Sequence, residues 1–114
     1  MKDCVFCRIA AGEEPAEVLD ETETAIAFRD IAPVAPVHVQ LIPREHIPSA
    51  AEVGERHAEV LVDLFRLAQR VSRAAGIAGR GWRLVTNVGR EGGQHIEHLH
   101  LHLLGGRQMG WPPG

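Results

Sequence analysis

The sequence predicts an α+β fold: a five-stranded antiparallel sheet, one long helix and a short N-terminal helix. Three observations lead there. Five short stretches, Val18-Leu19, Thr24–Phe28, Val37–Ile42, Trp82–Asn87 and His98–Leu104, are apolar, β-branched or alternating. Only residues 55–75 carry apolar side chains at helical spacing over several turns. The stretches are mostly joined by short turns, which favours antiparallel pairing over crossover connections.

Residues 4–11, CVFCRIAA, form a short helix that stops at Gly12. Val18-Leu19 opens the first strand, Asp20–Glu23 makes the turn and Thr24–Phe28 is the second strand. Asp30–Pro36 is a loop stiffened by Pro33 and Pro36. Val37–Ile42 is the third strand and ends at Pro43. Ser49 is placed to cap a short helix over 50–53. In the long helix Leu61, Leu64, Phe65, Ala68 and Val71 follow helical spacing, and Gly76 ends it. Val60, Val62 and Leu67 widen the apolar arc, which fits either deep burial in the chain's own core or added packing on a second subunit. Trp82–Asn87 is the fourth strand, Gly89–Gly93 a flexible loop and His98–Leu104 the fifth strand.

At 114 residues and 45% apolar content, the chain suits one domain with a real core. The net charge of -3, with both signs interspersed, argues against a nucleic-acid backbone binder. No apolar run approaches the roughly 20 residues that span a bilayer. The N-terminal stretch lacks the apolar centre of a signal peptide, so a cytoplasmic protein with reduced thiols is expected.

The chemical signal is histidine, seven in all, five of them at 46 or from 95 onward. On a strand, His98, His100 and His102 share one face, with Leu99, Leu101 and Leu103 on the other. Imidazoles two residues apart on a strand are about 7 Å apart at Cβ, which suits a line of groups passing hydrogen bonds. A polar surface, a three-histidine metal site and nucleophilic or acid–base catalysis are the competing readings. Zinc sites usually draw ligands from separated segments, and an imidazole with a fixed tautomer is a good nucleophile, so catalysis leads. Gly89, Gly92 and Gly93 allow close backbone approach and could cradle a phosphate. Asn87 fits either a substrate contact or a turn.

His98-Leu-His-Leu-His102-Leu-Leu resembles the motif of the histidine triad superfamily. Gly92-Gly-Gln94, Gly105–Gly114, Phe28–His38 and Leu41–Ile47 resemble its Hint branch, the histidine triad nucleotide-binding proteins. The resemblance covers nearly the whole chain. It implies a HIT-like fold and a homodimer whose two sheets join into one of ten strands, with the long helix at the interface. It implies hydrolysis of purine nucleoside 5′-phosphoramidates or related adenylates through a nucleotidyl-histidine on His100, with no metal needed. His98 and His102 would support His100, and His46 would complete the histidine cluster. Asp30 and Ile31 would contact the nucleoside of an AMP-like ligand, Phe28 would line the base pocket, and Asn87, Gly93, Gln94 and His95 would surround the phosphate. Trp111 would lie near the partner's site. A nucleotide-binding regulatory or scaffold protein with little turnover is the alternative.

The chain departs from the branch in three places. His95 stands where serine is frequent, Glu97 where an aromatic residue is frequent, and Gly110 replaces a polar residue. Cys4-x-x-Cys7 is weak by itself. Some bacterial relatives pair such cysteines with histidines matching His46 and His98, which makes these four a candidate structural zinc site.

Overall fold

Strand pairing sets the architecture. In the computed structural model, which describes residues 1–114, the elements are α1 (Val5–Ala10), β1 (Val18–Glu21), β2 (Ala25–Arg29), β3 (Val37–Pro43), α2 (Ala58–Ala74), β4 (Trp82–Val85) and β5 (Leu101–Gly105). The strands form one sheet in the order β1-β2-β3-β5-β4, and every pair is antiparallel. The predicted five-stranded α+β fold is therefore present.

The register explains where the site lies. Phe28 pairs with Gln40, Gln40 with His102, and His102 with Val85, so these four form one row across the sheet. Neighbours in a row share a face. The opposite face carries Ala25, Ala27, Val39, Leu41 and Leu103, which pack under α2 in the main core. On the site's own face, α1 covers only Ile26, Phe28 and Ile42, through Phe6 and Ile9. The rest of that face is left to polar groups.

The long helix buries Val60, Leu64, Leu67, Ala68 and Val71, at i, i+4, i+7, i+8 and i+11. Phe65 and Val62, part of the expected apolar arc, stand 53% and 48% exposed. They are turned away from the stripe that meets the sheet. The helix begins later than expected, since Glu55–His57 is a 3₁₀ turn. There the Gly54 N–H donates to His57 Nδ1 at 2.9 Å. At the other end Gly76 takes φ +75°, and the Ile77 N–H reaches back to the Ser72 carbonyl at 3.0 Å. That is the left-handed cap the glycine supplies without strain. Ser49 caps as expected: its hydroxyl accepts from the Ala51 N–H at 3.1 Å, over a single 3₁₀ turn at Ala50–Glu52.

Several strand boundaries need correction. Asp20 and Glu21, expected in the turn, pair in β1 with Ala27 and Ile26, and β4 ends at Val85 rather than Asn87. The fifth strand starts at Leu101 rather than His98. The Leu99 N–H is taken by the Ile47 carbonyl at 2.6 Å, so the chain leaves β3 beyond the Leu41–Leu101 pair. Leu99 and Leu103 still enter the core, but His98 and His100 belong to an irregular lead-in, both buried.

Leu64 is fully buried at the centre of the α2 stripe. Leu64→Ala is expected to cost about 2–5 kcal/mol by loss of burial and a residual cavity. Urea denaturation followed by circular dichroism reads this as a lower midpoint at unchanged slope.

Candidate active site

Hydrogen bonds from fixed backbone groups decide which ring nitrogens carry protons. His100 Nδ1 lies 2.7 Å from the His98 carbonyl, an acceptor only. Nδ1 is therefore the donor, and the lone pair of neutral His100 sits on Nε2. Thr86 Oγ1 donates to the carbonyl of His100 itself at 2.9 Å, pinning the backbone. The Phe6 ring stands edge-on at 5.2 Å and His102 lies 5.1 Å away, ring to ring.

His102 is governed by a residue that sequence reasoning did not single out. His38, on β3, is buried and places Nε2 at 2.9 Å from His102 Nδ1. The Val34 N–H donates to His38 Nδ1 at 3.1 Å, so the proton of neutral His38 is on Nε2. It is shared between His102 Nδ1 and Asp30 Oδ2, the latter at 3.2 Å. His102 Nδ1 is thus an acceptor, and its Nε2 carries the available proton. The Asp30 carboxylate is itself held, by Gln40 Nε2 at 2.9 Å and the Ala32 N–H at 2.8 Å. The sequence did contain a signal: His38 interrupts an apolar strand on the face opposite Val39 and Leu41.

Burial is the main cause that pushes His102 below its ordinary range, and the neighbouring His100 and His38 add to it against the Asp30 carboxylate. His98 is pushed down too, again chiefly by burial, with the Pro43 carbonyl pulling the other way.

His98 points elsewhere. Its Nε2 lies 2.9 Å from the Pro43 carbonyl, so Nε2 carries the proton and Nδ1 the lone pair. That lone pair faces Cys4 Sγ at 3.3 Å and Cys7 Sγ at 3.5 Å. His46 Nδ1 lies 3.3 Å from Cys7 Sγ, and its ring meets His98 edge-on at 5.0 Å. Of the two places expected for His46, the histidine cluster and the candidate zinc set, the structure puts its Nδ1 beside the cysteines. All four ligand atoms lie within 4.8 Å of one another. A tetrahedral zinc with two sulfurs and two nitrogens has S–N edges of roughly 3.5 Å. The donor set, spacing and tautomer all fit that ion. Burial, and then the neighbouring Cys4, raise the Cys7 thiol, so loading a metal there must release protons.

Asp30, His38 and His102 also lie close enough to hold a metal. Their tautomers argue otherwise: the Val34 N–H occupies His38 Nδ1, which keeps the proton on the nitrogen a metal would need. The two clusters are therefore chemically distinct, one with four donor atoms turned toward one another and the other a hydrogen-bonded chain of His102, His38 and Asp30.

The remaining expected residues fall around these groups. Phe28 is buried against Phe6, while Ile31 is 99% and Trp111 84% exposed. Asn87 Nδ2 donates to the Gly92 carbonyl at 2.7 Å and closes the glycine loop. A Cβ on Gly92 would collide with the Val88 backbone. The Gly93 and Gln94 N–H groups bond to Arg90 and Gly89 carbonyls, so these two amides are committed within the loop. The Gln94 side chain braces the same loop, accepting from the Gly89 N–H and donating to the Pro48 and Ile96 carbonyls. His95 and Glu97 line an open cavity of about 330 Å³ beside Cys4 and His46.

Comparisons with known proteins agree with this geometry. The family model described as "HIT domain" matches residues 11–109. The crystal structure of a HIT family hydrolase from Legionella pneumophila Philadelphia 1 superposes with a TM-score of 0.95 at 48% identity, covering 98% of this chain and 100% of that one. Adenylylsulfatase HINT1 of Arabidopsis thaliana is 43% identical over 96% of this chain and 76% of its own length. A 14 kDa zinc-binding protein of Brassica juncea is 42% identical over 98% of this chain and 100% of its own.

The lowered His102 value has a consequence for stability. Below about 6.5, the ordinary histidine value, an unfolded chain binds a proton at this position that the folded chain still refuses. Stability is therefore full above that pH and declines as pH falls through it. His98 contributes with the same sign. Urea midpoints at pH 7.5 and 5.5 are expected to differ, with the lower at pH 5.5.

Proposed function

The chain belongs to the HIT domain family, Hint branch, and from that premise we propose that it hydrolyses purine nucleoside 5′-phosphoramidates or related adenylates through a nucleotidyl-histidine on His100. The observation that carries this reading is the 2.7 Å contact from His100 Nδ1 to the His98 carbonyl, which leaves Nε2 as the free nucleophilic nitrogen. The chain's likeness to the HIT family hydrolase of Legionella and to the adenylylsulfatase of Arabidopsis supports the same class.

His100 Nε2 attacks phosphorus in line, forming an N–P bond as the P–N or P–O bond to the leaving group breaks. Phosphoryl chemistry of this kind depends mostly on positioning and charge stabilisation. His102 Nε2–H, aligned through His38 and Asp30, supplies the donor for a phosphoryl oxygen or the departing amine. Water then attacks phosphorus, the N–P bond breaks and the nucleoside monophosphate leaves. Phe28, Asp30 and Ile31 take the nucleoside, while Asn87, Gly93, Gln94 and His95 shape the phosphate side. His46 and His98 belong with Cys4 and Cys7, which would hold a structural zinc. That ion would tie these segments together and supply no chemical step.

A binding protein with little turnover is the second reading. The commitment of the Gly93 and Gln94 amides within their own loop favours it. One assay separates the two. Hydrolysis of an adenosine 5′-phosphoramidate or adenylyl sulfate is expected, with His100→Ala lowering it by at least about 10³-fold. Equal rates in wild type and variant would remove the enzyme reading.

The homodimer also belongs to this proposal. Val62 and Phe65 on α2 are exposed, and β4 ends the sheet with an open edge. A second copy would cover both, extend the sheet to ten strands and bring Trp111 near its partner's site. Phe65→Glu is expected to convert the dimer to monomer in analytical ultracentrifugation. An unchanged sedimentation coefficient would count against this interface.

A further inference from the structure

We propose that α1 is a metal-dependent clamp on the nucleophile, in which loading of the Cys4–Cys7–His46–His98 cluster fixes the orientation and ring proton of His100. The proposal rests on His100 being the reactive ring.

Two connections run from the cluster to His100. The first passes through one residue. His98 presents its Nδ1 to both sulfurs, its Nε2–H to the Pro43 carbonyl and its own carbonyl to His100 Nδ1. The ring and the carbonyl belong to the same fully buried residue, so holding the ring against the sulfurs also restrains the acceptor that sets the His100 tautomer. The second passes through the helix. Cys4 is the N-cap of α1 and Cys7 lies in its first turn, with Phe6 between them. Phe6 stands edge-on to His98 at 5.8 Å and to His100 at 5.2 Å. Holding both sulfurs therefore also holds the ring that packs on the nucleophile.

The helix needs such a fastening. A six-residue helix is marginal by itself in water. Phe6 and Ile9 dock it on the minor core, and Arg44 Nη1 donates to the Ala10 carbonyl at 3.3 Å. Without a metal, the two sulfurs meet His98 and His46 only through S–H contacts, and thiols are weak donors. Metal–ligand bonds replace these contacts with a closed tetrahedral set. His98 and Phe6 then act as positioning residues, reaching the reaction only through His100.

The experiment uses the full chain, loaded with zinc and then stripped by a chelator. Its first readout is the ¹⁵N–¹H NMR signal of the His100 Nδ1 proton, which needs no nucleotide. A slowly exchanging proton in the loaded form that exchanges rapidly after stripping, with the sheet intact by circular dichroism, supports the clamp. An identical signal in both forms overturns it. So does a chain that binds no zinc. Global unfolding on stripping also overturns it, because the metal then serves the whole fold rather than α1. The second readout is zinc affinity, measured by competition with a chromophoric chelator, with and without saturating AMP. Linkage requires AMP and zinc to tighten each other by one common factor, expected at about 5- to 50-fold. Equal zinc affinity while AMP binds overturns the coupling. Failure of AMP to bind the loaded chain, with the NMR difference present, sinks the nucleotide reading and leaves the clamp standing.

Discussion

The carbonyl of His98 is the point on which the site depends. It accepts the Nδ1 proton of His100 at 2.7 Å and so decides which nitrogen of that ring holds a lone pair. Similar backbone groups act on the neighbouring rings. The Pro43 carbonyl takes the Nε2 proton of His98, and the Val34 N–H takes the Nδ1 lone pair of His38. A backbone group cannot change its donor or acceptor character, so each neutral ring is held in one tautomer. Protonation patterns that side-chain partners would leave open are closed here by the fold.

These constraints divide one histidine-rich surface into two kinds of chemistry. On one side, the Nδ1 atoms of His46 and His98 meet two sulfurs in a set suited to a tetrahedral ion. On the other, a carboxylate and two imidazoles, Asp30, His38 and His102, are linked by hydrogen bonds beside Gln40. Cost accompanies this order. Gln40 Oε1 is buried without a partner, because its amide nitrogen is spent on Asp30. An unsatisfied acceptor of this kind costs about 1–3 kcal/mol, which is consistent with polar positioning taking precedence over stability at this place.

Much of the fold was legible because it follows local rules. The apolar, β-branched run Val37–Ile42 and the cap at Gly76 depend on near neighbours in sequence, and each appears close to its expected place. The start of the fifth strand was not legible. It depends on the Ile47 carbonyl taking the Leu99 N–H across a separation of 52 residues. The outward turn of Phe65 escaped for a similar reason, since helical spacing predicts an arc but not which part of it meets the sheet.

The sequence by itself determined the strand and helix content, the placing of His98, His100 and His102 at every second residue, and the spacing of Cys4 and Cys7 one helical turn apart. Those properties come from residue type and short-range periodicity. Only the tertiary structure decided that His38 belongs beside His102, that His46 stands with the cysteines, and that His98 serves both groups. The physical reason is that a ring's role is set by what lies at each nitrogen. Those partners, the Pro43 and His98 carbonyls, the Val34 N–H and two sulfurs, come from segments that meet only when the sheet closes and α1 docks on it.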